Sequence, residues 1–152
     1  VGNLVNANAS LGLFLPAIFF LVAAFLGFAT GTSWGTFGIL IPIAVAVIGA
    51  ENYQGLVLSV AAILSGAVAG DHASPISDTT ILASAGAQCH HIDHVSTQLP
   101  YVLLLVVCSF IGYVVDGFTQ NGFAGMAVGF LLLAGICSFL WIRVPLGEKD
   151  EA

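Results

Sequence analysis

Long apolar segments that carry no charge constrain this chain more than any other feature. They lie at residues 11–29, 37–50, 56–70, 99–115 and 123–142. Of the 152 residues, 59% are hydrophobic and only 7% are charged, which is too little polar surface to coat a water-soluble globule. A buried soluble domain would need charged outer faces on its helices, and whole segments here have none. The sequence therefore predicts an all-α integral membrane protein.

The few charges that remain are mostly acidic. The net charge is −6, and the only basic residues are Arg143 and Lys149. The chain has no positive patch for phosphates, which argues against nucleic acid as a partner and leaves the lipid bilayer as the expected one. Both basic residues lie in the polar tail at 143–152, so the positive-inside rule predicts that the tail is cytoplasmic.

The lengths of the apolar segments point to broken helices. A hydrocarbon core of about 30 Å takes about 20 helical residues to span. Segment 123–142 meets this length and 99–115 meets it with its flanks, whereas 37–50 and 56–70 are too short alone. Each short segment adjoins a polar stretch that contains glycine. Short apolar segments interrupted by glycine and proline are typical of discontinuous helices that line a transport site.

These lengths predict one topology. The predicted parts are a re-entrant hairpin at 11–50 that turns at 31–36, an aqueous loop at 51–55, a helix at 56–87 broken at 70–78, a His-rich aqueous loop at 88–98, and plain transmembrane helices at 99–115 and 123–142. Broken backbone is tolerated in lipid only where protein or water surrounds it. Each of the two breaks therefore predicts a pocket.

The second break reads GDHASPISDTT over residues 70–80. A charged residue at bilayer depth costs about 2.5–3.5 kcal/mol on insertion scales, so it persists there only with a partner. Pro75 interrupts the helix, which allows the two aspartates of this run to approach each other or a common ion. Hydroxyl and carboxylate oxygens are the ligands that hard cations such as Na+ prefer. The expected ligands of Na+ are Asp71, Asp78, Ser74, Ser77 and Thr79.

Parts of this prediction have alternatives. Asp78 precedes the apolar piece 79–87 and can instead cap that half-helix. His72 can shuttle protons or can be a hydrogen-bonded structural residue. The first break, 31–36, carries hydroxyls but no charge, and its glycines fit close helix packing as well as ion ligation. The hydroxyl residues assigned to the ion site there are Thr32, Ser33 and Thr36.

Titratable residues also occur outside the two breaks. Glu51 and Asp116 are predicted to be solvated loop carboxylates. A cluster in the predicted loop at 88–98 has the spacings of zinc ligands on a helix, but a solvated loop or a pH-sensing cluster is favoured because nothing locates further ligands beside it. The members of this cluster are His90, His91, Asp93 and His94.

Two runs of the sequence resemble a known family. GTSWGTFGILIPIA, from residue 31, and GDHASPISDTTILASAGAQCHHIDHVSTQLPY, from residue 70, resemble the NhaC-type sodium/proton antiporters of the ion-transporter superfamily. The resemblance extends over 13–101 and, more loosely, over the last two helices. It implies one unit of an inverted-repeat transporter, in which a re-entrant hairpin and a discontinuous transmembrane helix meet near the bilayer midplane, followed by two plain helices.

The resemblance also implies what surrounds this unit. A homologous N-terminal repeat of the same protein would precede it, so the chain is expected to be the C-terminal portion of a longer protein. The expected location is a bacterial or archaeal plasma membrane, which the protein crosses several times. Association of two copies into a homodimer is left open.

The predicted function is exchange of sodium for protons by competition at one site. Burial disfavours an ionised carboxylate and a bound cation favours it, so a proton and Na+ exclude each other. The family also includes exchangers of small hydroxy acids such as malate and lactate, which is the alternative function. A second alternative is an intramembrane aspartyl hydrolase, because such enzymes use two aspartates that share a proton. A third alternative is a membrane scaffold. We predict a transporter and not an enzyme, with Na+ and H+ as transported ions and no resident cofactor.

Overall fold

The computed structural model describes residues 9–49 and 51–143, and all of its regular elements are helices. They are α1 (Ala9–Thr30), α2 (Ser33–Ile48), α3 (Tyr53–Ala73), α4 (Asp78–Gly86), α5 (His91–Thr119) and α6 (Gly122–Arg143). The described residues contain no strand. The predicted all-α class is confirmed.

Four of the described helices are long and apolar enough to cross a membrane. The spans are Gly12–Thr30 in α1, Tyr53–Ala73 in α3, His91–Thr119 in α5 and Gly122–Leu140 in α6. Helix α2, with 16 residues, is shorter. Large apolar side chains face outward, such as Phe25 in α1 and Leu131 in α6, which are 70% and 73% exposed. Lipid is the solvent for such a surface, and the protein is an integral, multi-pass membrane protein.

Helices α1 and α3 lie side by side with their backbones in contact. A Cβ atom at Gly66 of α3 would collide with the carbonyl oxygen of Phe20, and one at Gly70 would lie 2.8 Å from the backbone nitrogen of Phe28. Gly27 is buried on the α1 side of the same contact. Small residues allow this approach. The contact points move towards the C-terminus in both helices together, from Gly66 and Phe20 to Gly70 and Phe28. Helices α1 and α3 therefore run parallel.

Helix α5 runs in the opposite direction to α3. Gln54, at the start of α3, donates from Nε2 to the carbonyl oxygen of Gln120, just after α5, at 3.1 Å. At the other end, Gln98 in α5 donates from Nε2 to the carbonyl oxygen of His72 at 2.6 Å. Helix α6 then packs back along α5.

An apolar core between α1, α2 and α3 holds the two breaks next to each other. Its buried residues are Phe19, Ala23, Leu40, Ala44, Ile63 and Ala67. At the end of this core, the turn between α1 and α2 contacts the segment between α3 and α4. A Cβ atom added to Gly31 in the turn would lie 2.9 Å from Cγ1 of Ile76 in the segment. The two polar breaks of the sequence are therefore in contact.

The turn between α1 and α2 is shorter than the predicted 31–36. Gly31 has φ +65°, a conformation that glycine adopts without strain, and ends the helical run of α1. Thr32 is extended and caps α2, because its hydroxyl accepts a hydrogen bond from the backbone N–H of Gly35 at 3.4 Å. The helix therefore resumes at Ser33.

The expectation that segment 56–70 is too short to span alone is wrong. Helix α3 has 21 residues and is long enough to cross a membrane without α4. It begins earlier because Asn52 caps it, with Oδ1 accepting from the N–H of Gly55 at 3.0 Å. It also continues through Asp71 to Ala73, and the break starts only at Ser74.

The predicted aqueous loop at 88–98 is also wrong, because α5 already begins at His91. Asp93 lies in the first turn, where the helix dipole favours a carboxylate. The hydroxyls of Ser96 and Thr97 donate to the carbonyl of Asp93, at 3.0 and 2.9 Å, so these polar residues are accommodated in a helix. The 29 residues of α5 give a length of about 43 Å, more than the hydrocarbon core needs.

Candidate ion-binding site

The break between α3 and α4 consists of residues 74–77 and is explained by its proline. Ser74 has the extended conformation that a residue before proline prefers, with φ −76° and ψ 128°. Ser77 caps α4, and its Oγ accepts from the N–H of Thr79 at 3.2 Å. Both serines are fully buried. Two hydroxyls of the predicted site therefore lie inside the protein.

Asp71 is buried beside these hydroxyls, with 6% of its surface exposed. Ser77 donates from Oγ to Oδ1 of Asp71 at 2.6 Å, and Oγ1 of Thr79 lies 2.7 Å from Oγ of Ser77. Since Ser77 has a single hydroxyl proton and Asp71 receives it, Thr79 is the donor in the second bond. Thr79, Ser77 and Asp71 thus form a chain of oxygens that ends on a buried carboxylate.

Ser74 takes no part in this chain. Its Oγ accepts a hydrogen bond from the backbone N–H of Ile76 at 3.4 Å, which stabilises the turn of the break. Among the residues predicted as ligands in the second break, the structure therefore groups Asp71, Ser77 and Thr79, and leaves Ser74 as a buried neighbour.

The structure does not bring Asp78 into this group. Asp78 is the first residue of α4, and its side chain is exposed. Within the described ranges, no hydrogen bond joins its carboxylate to that of Asp71. A carboxylate at a helix N-terminus is favoured by the helix dipole.

Two of the three hydroxyls of the first break, those of Thr32 and Thr36, form hydrogen bonds within their own turn. Thr36 is buried and donates from Oγ1 to the carbonyl oxygen of Thr32 at 2.9 Å. Oγ1 of Thr32 accepts from Gly35, and Ser33 is half-buried. The backbone of this turn touches the second break at Ile76, but none of the three hydroxyls is hydrogen-bonded to Asp71 in the part of the chain that the structure describes.

His72 makes a hydrogen bond within its own helix, as a structural histidine would. Its Nδ1 lies 2.9 Å from the carbonyl oxygen of Val68, one turn earlier in α3. Since a carbonyl can only accept, Nδ1 carries the proton. The imidazole is exposed.

Sequence reasoning did not predict that His91 and Gln98 form hydrogen bonds at the break. His91 has Nε2 at 2.7 Å from the carbonyl oxygen of Pro75 and Nδ1 at 3.0 Å from Oγ of Ser84. Gln98 holds the carbonyl of His72. The spacing of seven residues puts His91 and Gln98 on one face of a helix, a signal that was lost because 88–98 was assigned to a loop. In the described ranges no group of three or more His, Cys, Asp and Glu is arranged to hold a metal ion.

Asp116 is not a solvated loop carboxylate, as predicted, but a buried residue of α5. Its Oδ1 accepts a hydrogen bond from the backbone N–H of Gly125 at 2.8 Å, near the start of α6, where backbone N–H groups lack helical partners. Asp116 and Tyr113 line a cavity of about 450 Å³ between α3, α5 and α6. The prediction failed because α5 continues to Thr119, beyond the apolar segment.

Comparison with known proteins places these features in a family. The chain matches the Na+/H+ antiporter family over residues 1–118. It is 51% identical over 127 residues to an uncharacterised protein of Haemophilus influenzae, a match that covers 84% of this chain and 24% of that protein. No solved structure matches the chain.

Two relatives with assigned activities are equally similar. The malate-2H(+)/Na(+)-lactate antiporter of Bacillus subtilis is 40% identical over 111 residues, covering 70% of this chain and 24% of that protein. The arginine/ornithine antiporter ArcD of Halobacterium salinarum is 40% identical over 108 residues, covering 67% of this chain and 22% of that protein. The chain spans about a quarter of the length of the curated relatives that it matches. By sequence and by its apolar helices, the chain belongs to the Na+/H+ antiporter family.

Proposed function

We propose that this chain supplies the cation- and proton-binding segment of a transporter that exchanges sodium for protons. The observation that carries the proposal is the buried carboxylate of Asp71, which ends a chain of hydroxyls at a helix break. A carboxylate buried at such a place needs a partner. Residues 1–142 contain no lysine or arginine, and a mobile cation or a proton is the partner that we propose for Asp71.

The exchange follows from competition at Asp71. When the carboxylate is ionised, it binds Na+ together with the Thr79 hydroxyl and with Ser77 Oγ, which exchanges the hydrogen bond that it accepts from the Thr79 hydroxyl for the cation. When a proton binds Asp71, the charge is removed and Na+ is released. Asp78 is exposed on the other side of the break, and we assign it the role of attracting cations to the break.

The same proposal includes movement of the two breaks. Helices α1 and α2 form the re-entrant hairpin, and α3 and α4 form the discontinuous helix of one inverted-repeat unit. The contact between Gly31 and Ile76 supports this arrangement, because it lets a movement of the hairpin turn act on the break. The transported ion would reach alternate sides of the membrane as the two breaks rearrange against an N-terminal repeat. A homodimer of the full protein remains part of the proposal.

Sodium-dependent proton flux in vesicles that contain the full-length protein tests the role of Asp71. We expect Asp71→Asn to abolish the flux, and Ser77→Ala to raise the KM for sodium several-fold because one ligand is lost. Asp93→Asn, at an exposed carboxylate in α5, is the matched control and should behave as the wild type. If Asp71→Asn retained both the flux and its pH profile, the proposal would be wrong.

A second candidate is exchange of small organic substrates. It is favoured by the two relatives named for malate, lactate, arginine and ornithine, each 40% identical to this chain. The hydroxyls of both breaks could hold a substrate carboxylate, and Asp71 or Asp78 could hold a substrate ammonium group. Uptake of labelled lactate, malate or arginine into the same vesicles distinguishes this function, because simple sodium/proton exchange predicts uptake of none of them.

A further inference from the structure

A cavity of about 450 Å³ between α3, α5 and α6 lies away from the break, and the proposed exchange does not use it. Along α5 its walls extend from Leu105 to Asp116, which is about 16 Å of helix. Asp116 lies three residues before the end of α5, whereas Leu105 lies at the middle of that helix. The cavity therefore extends from one end of the bundle towards the centre of the bilayer.

The outer end of the cavity carries a buried carboxylate with one unused oxygen. Oδ1 of Asp116 accepts from the N–H of Gly125, but within the described residues Oδ2 has no hydrogen bond. A carboxylate buried in a membrane helix needs a partner. Residues 1–142 contain no lysine or arginine, Arg143 lies at the far end of α6, and the histidines lie at or next to the break. We therefore expect a cation at Asp116 to come from a ligand.

The other walls of the cavity are mostly apolar. Their large side chains are those of Leu58, Leu105, Met126, Phe130 and Leu133. The hydroxyl of Tyr113, which also lines the cavity, is already hydrogen-bonded to α3, where it lies 2.6 Å from Oγ of Ser65. A bare hard cation needs several oxygen ligands, which such walls do not supply. The cavity instead suits a molecule that has one cationic group and a long apolar part.

The deep part of the cavity faces the surrounding lipid. Helix α3 lines only the outer part, with Leu58 and Ala61 from its first half. At the depth of Leu105 the walls belong to α5 and α6, and the side chains of Leu105 and Phe130 are exposed. A bilayer lipid has the same layout, because its headgroup lies at the membrane surface and its acyl chains lie in the hydrocarbon core.

We propose that this cavity binds a phospholipid whose headgroup ends in a primary ammonium, as in phosphatidylethanolamine, with the ammonium at Asp116 and an acyl chain between α5 and α6. Hydrogen bonds between an ammonium and a carboxylate are roughly twice as strong as neutral ones. A primary ammonium has N–H donors for Oδ2, whereas the trimethylammonium of phosphatidylcholine has none. An anionic headgroup is repelled by the carboxylate. The proposal does not depend on which substrate the protein transports.

Lipid titration of the delipidated full-length protein in detergent tests the proposal, with native mass spectrometry as the measurement. The probes are phosphatidylethanolamine, phosphatidylcholine and phosphatidylglycerol with identical acyl chains. We expect the wild-type protein to bind one phosphatidylethanolamine about tenfold more tightly than phosphatidylcholine, and phosphatidylglycerol no more tightly than phosphatidylcholine. Equal affinities of the wild-type protein for phosphatidylethanolamine and phosphatidylcholine would overturn the proposal, whether or not any variant folds.

Three variants locate the binding within the cavity. Asp116→Asn keeps an oxygen for the N–H of Gly125 but removes the charge, and it should lose the preference for phosphatidylethanolamine. Ser109→Leu fills the cavity between Leu105 and Asp116 and should weaken the binding of phosphatidylethanolamine. Ser138→Leu makes the same change at an exposed position of α6 outside the cavity, so it should bind as the wild type does. A preference that persists in Asp116→Asn would contradict the proposal.

Competition with dodecylammonium distinguishes a phospholipid from a free amine. This amphiphile has the same cationic group but a single alkyl chain, so it buries less apolar surface than a phospholipid with two chains. It should displace phosphatidylethanolamine from the wild-type protein only at a concentration roughly tenfold higher. Displacement at an equal concentration would assign the cavity to free amines and would overturn its assignment to a phospholipid.

Discussion

Asp71 and Asp116 are both buried carboxylates in apolar helices, but their partners differ in kind. Asp71 accepts from the hydroxyl of Ser77, which can rotate and leave a lone pair for a cation. Asp116 accepts from the backbone N–H of Gly125, which α6 holds in place. At the scale of the residue, the first arrangement suits an exchangeable ligand and the second suits a structural cap.

The effect of an Asp116 substitution on the free energy of unfolding should therefore depend on whether the new side chain keeps an oxygen that accepts the hydrogen bond from Gly125. Asp116→Asn retains an oxygen for Gly125 and should change the free energy of unfolding by less than about 1 kcal/mol, the usual size of a helix-dipole contribution. Asp116→Ala leaves a buried N–H without a partner and should cost about 1–3 kcal/mol. Thermal unfolding of the purified full-length protein in detergent measures both. Equal losses in the two variants would contradict the capping role.

At the scale of the element, α1 and α3 pack through glycines, and the close contact sets where the break lies. Gly66 and Gly70 let the backbones of the two helices touch, which carries the end of α3 to the turn between α1 and α2. Packing of this kind replaces the hydrophobic effect between helices in lipid. The polar break therefore depends on small residues that have no chemistry of their own.

Gly70→Ala tests this dependence. A Cβ atom there would collide with the backbone of Ala24, so α1 and α3 must separate, and we expect a loss of about 1–3 kcal/mol in stability. Gly38→Ala, in α2, is the matched control because no atom lies within 4 Å of its added Cβ, and it should be neutral or stabilising by about 0.5–1 kcal/mol. Unfolding temperatures in detergent measure both changes. A loss in Gly38→Ala as large as that in Gly70→Ala would show that the contact is unimportant.

At the scale of the whole molecule, one end of the helix bundle carries the break between α3 and α4 and the other end does not. The break and the start of α5 lie at one end, where Gln98 meets His72. Gln54 and Gln120 meet at the other. Because α5 is longer than a hydrocarbon core, its two ends should lie on opposite sides of the membrane.

Thiol labelling of the full-length protein tests this placement. Cys89, just before α5, is exposed, whereas Cys108 is buried. With Cys108 and Cys137 replaced by alanine, an impermeant maleimide should label Cys89 from one side of the membrane only. A cysteine placed at Asn121 in a variant that also lacks Cys89 should be labelled only from the opposite side. Labelling of both positions from the same side would exclude α5 as a span.

The sequence alone determined the local features of this protein. Apolar segments without charge predicted membrane helices, and four of the described helices are long and apolar enough to span, because a helix satisfies its own backbone hydrogen bonds in lipid. Pro75 placed the second break, since proline acts on its own backbone and on Ser74. The motif around Asp71 also carried the resemblance to the antiporter family, which the comparison confirmed.

Only the tertiary structure decided which polar residues share a site. Seven residues separate Asp71 from Asp78 and also His91 from Gln98, but a break intervenes in the first pair and none in the second. The break was expected to let Asp71 and Asp78 approach each other, but it leaves Asp78 exposed at the start of α4, because packing sets the direction of the chain after a break. The burial of Asp116 likewise depends on α6, which returns the N–H of Gly125 to it. No local sequence pattern indicates a contact between distant segments. Only the packing of the helices in the tertiary structure therefore shows the partners of these side chains.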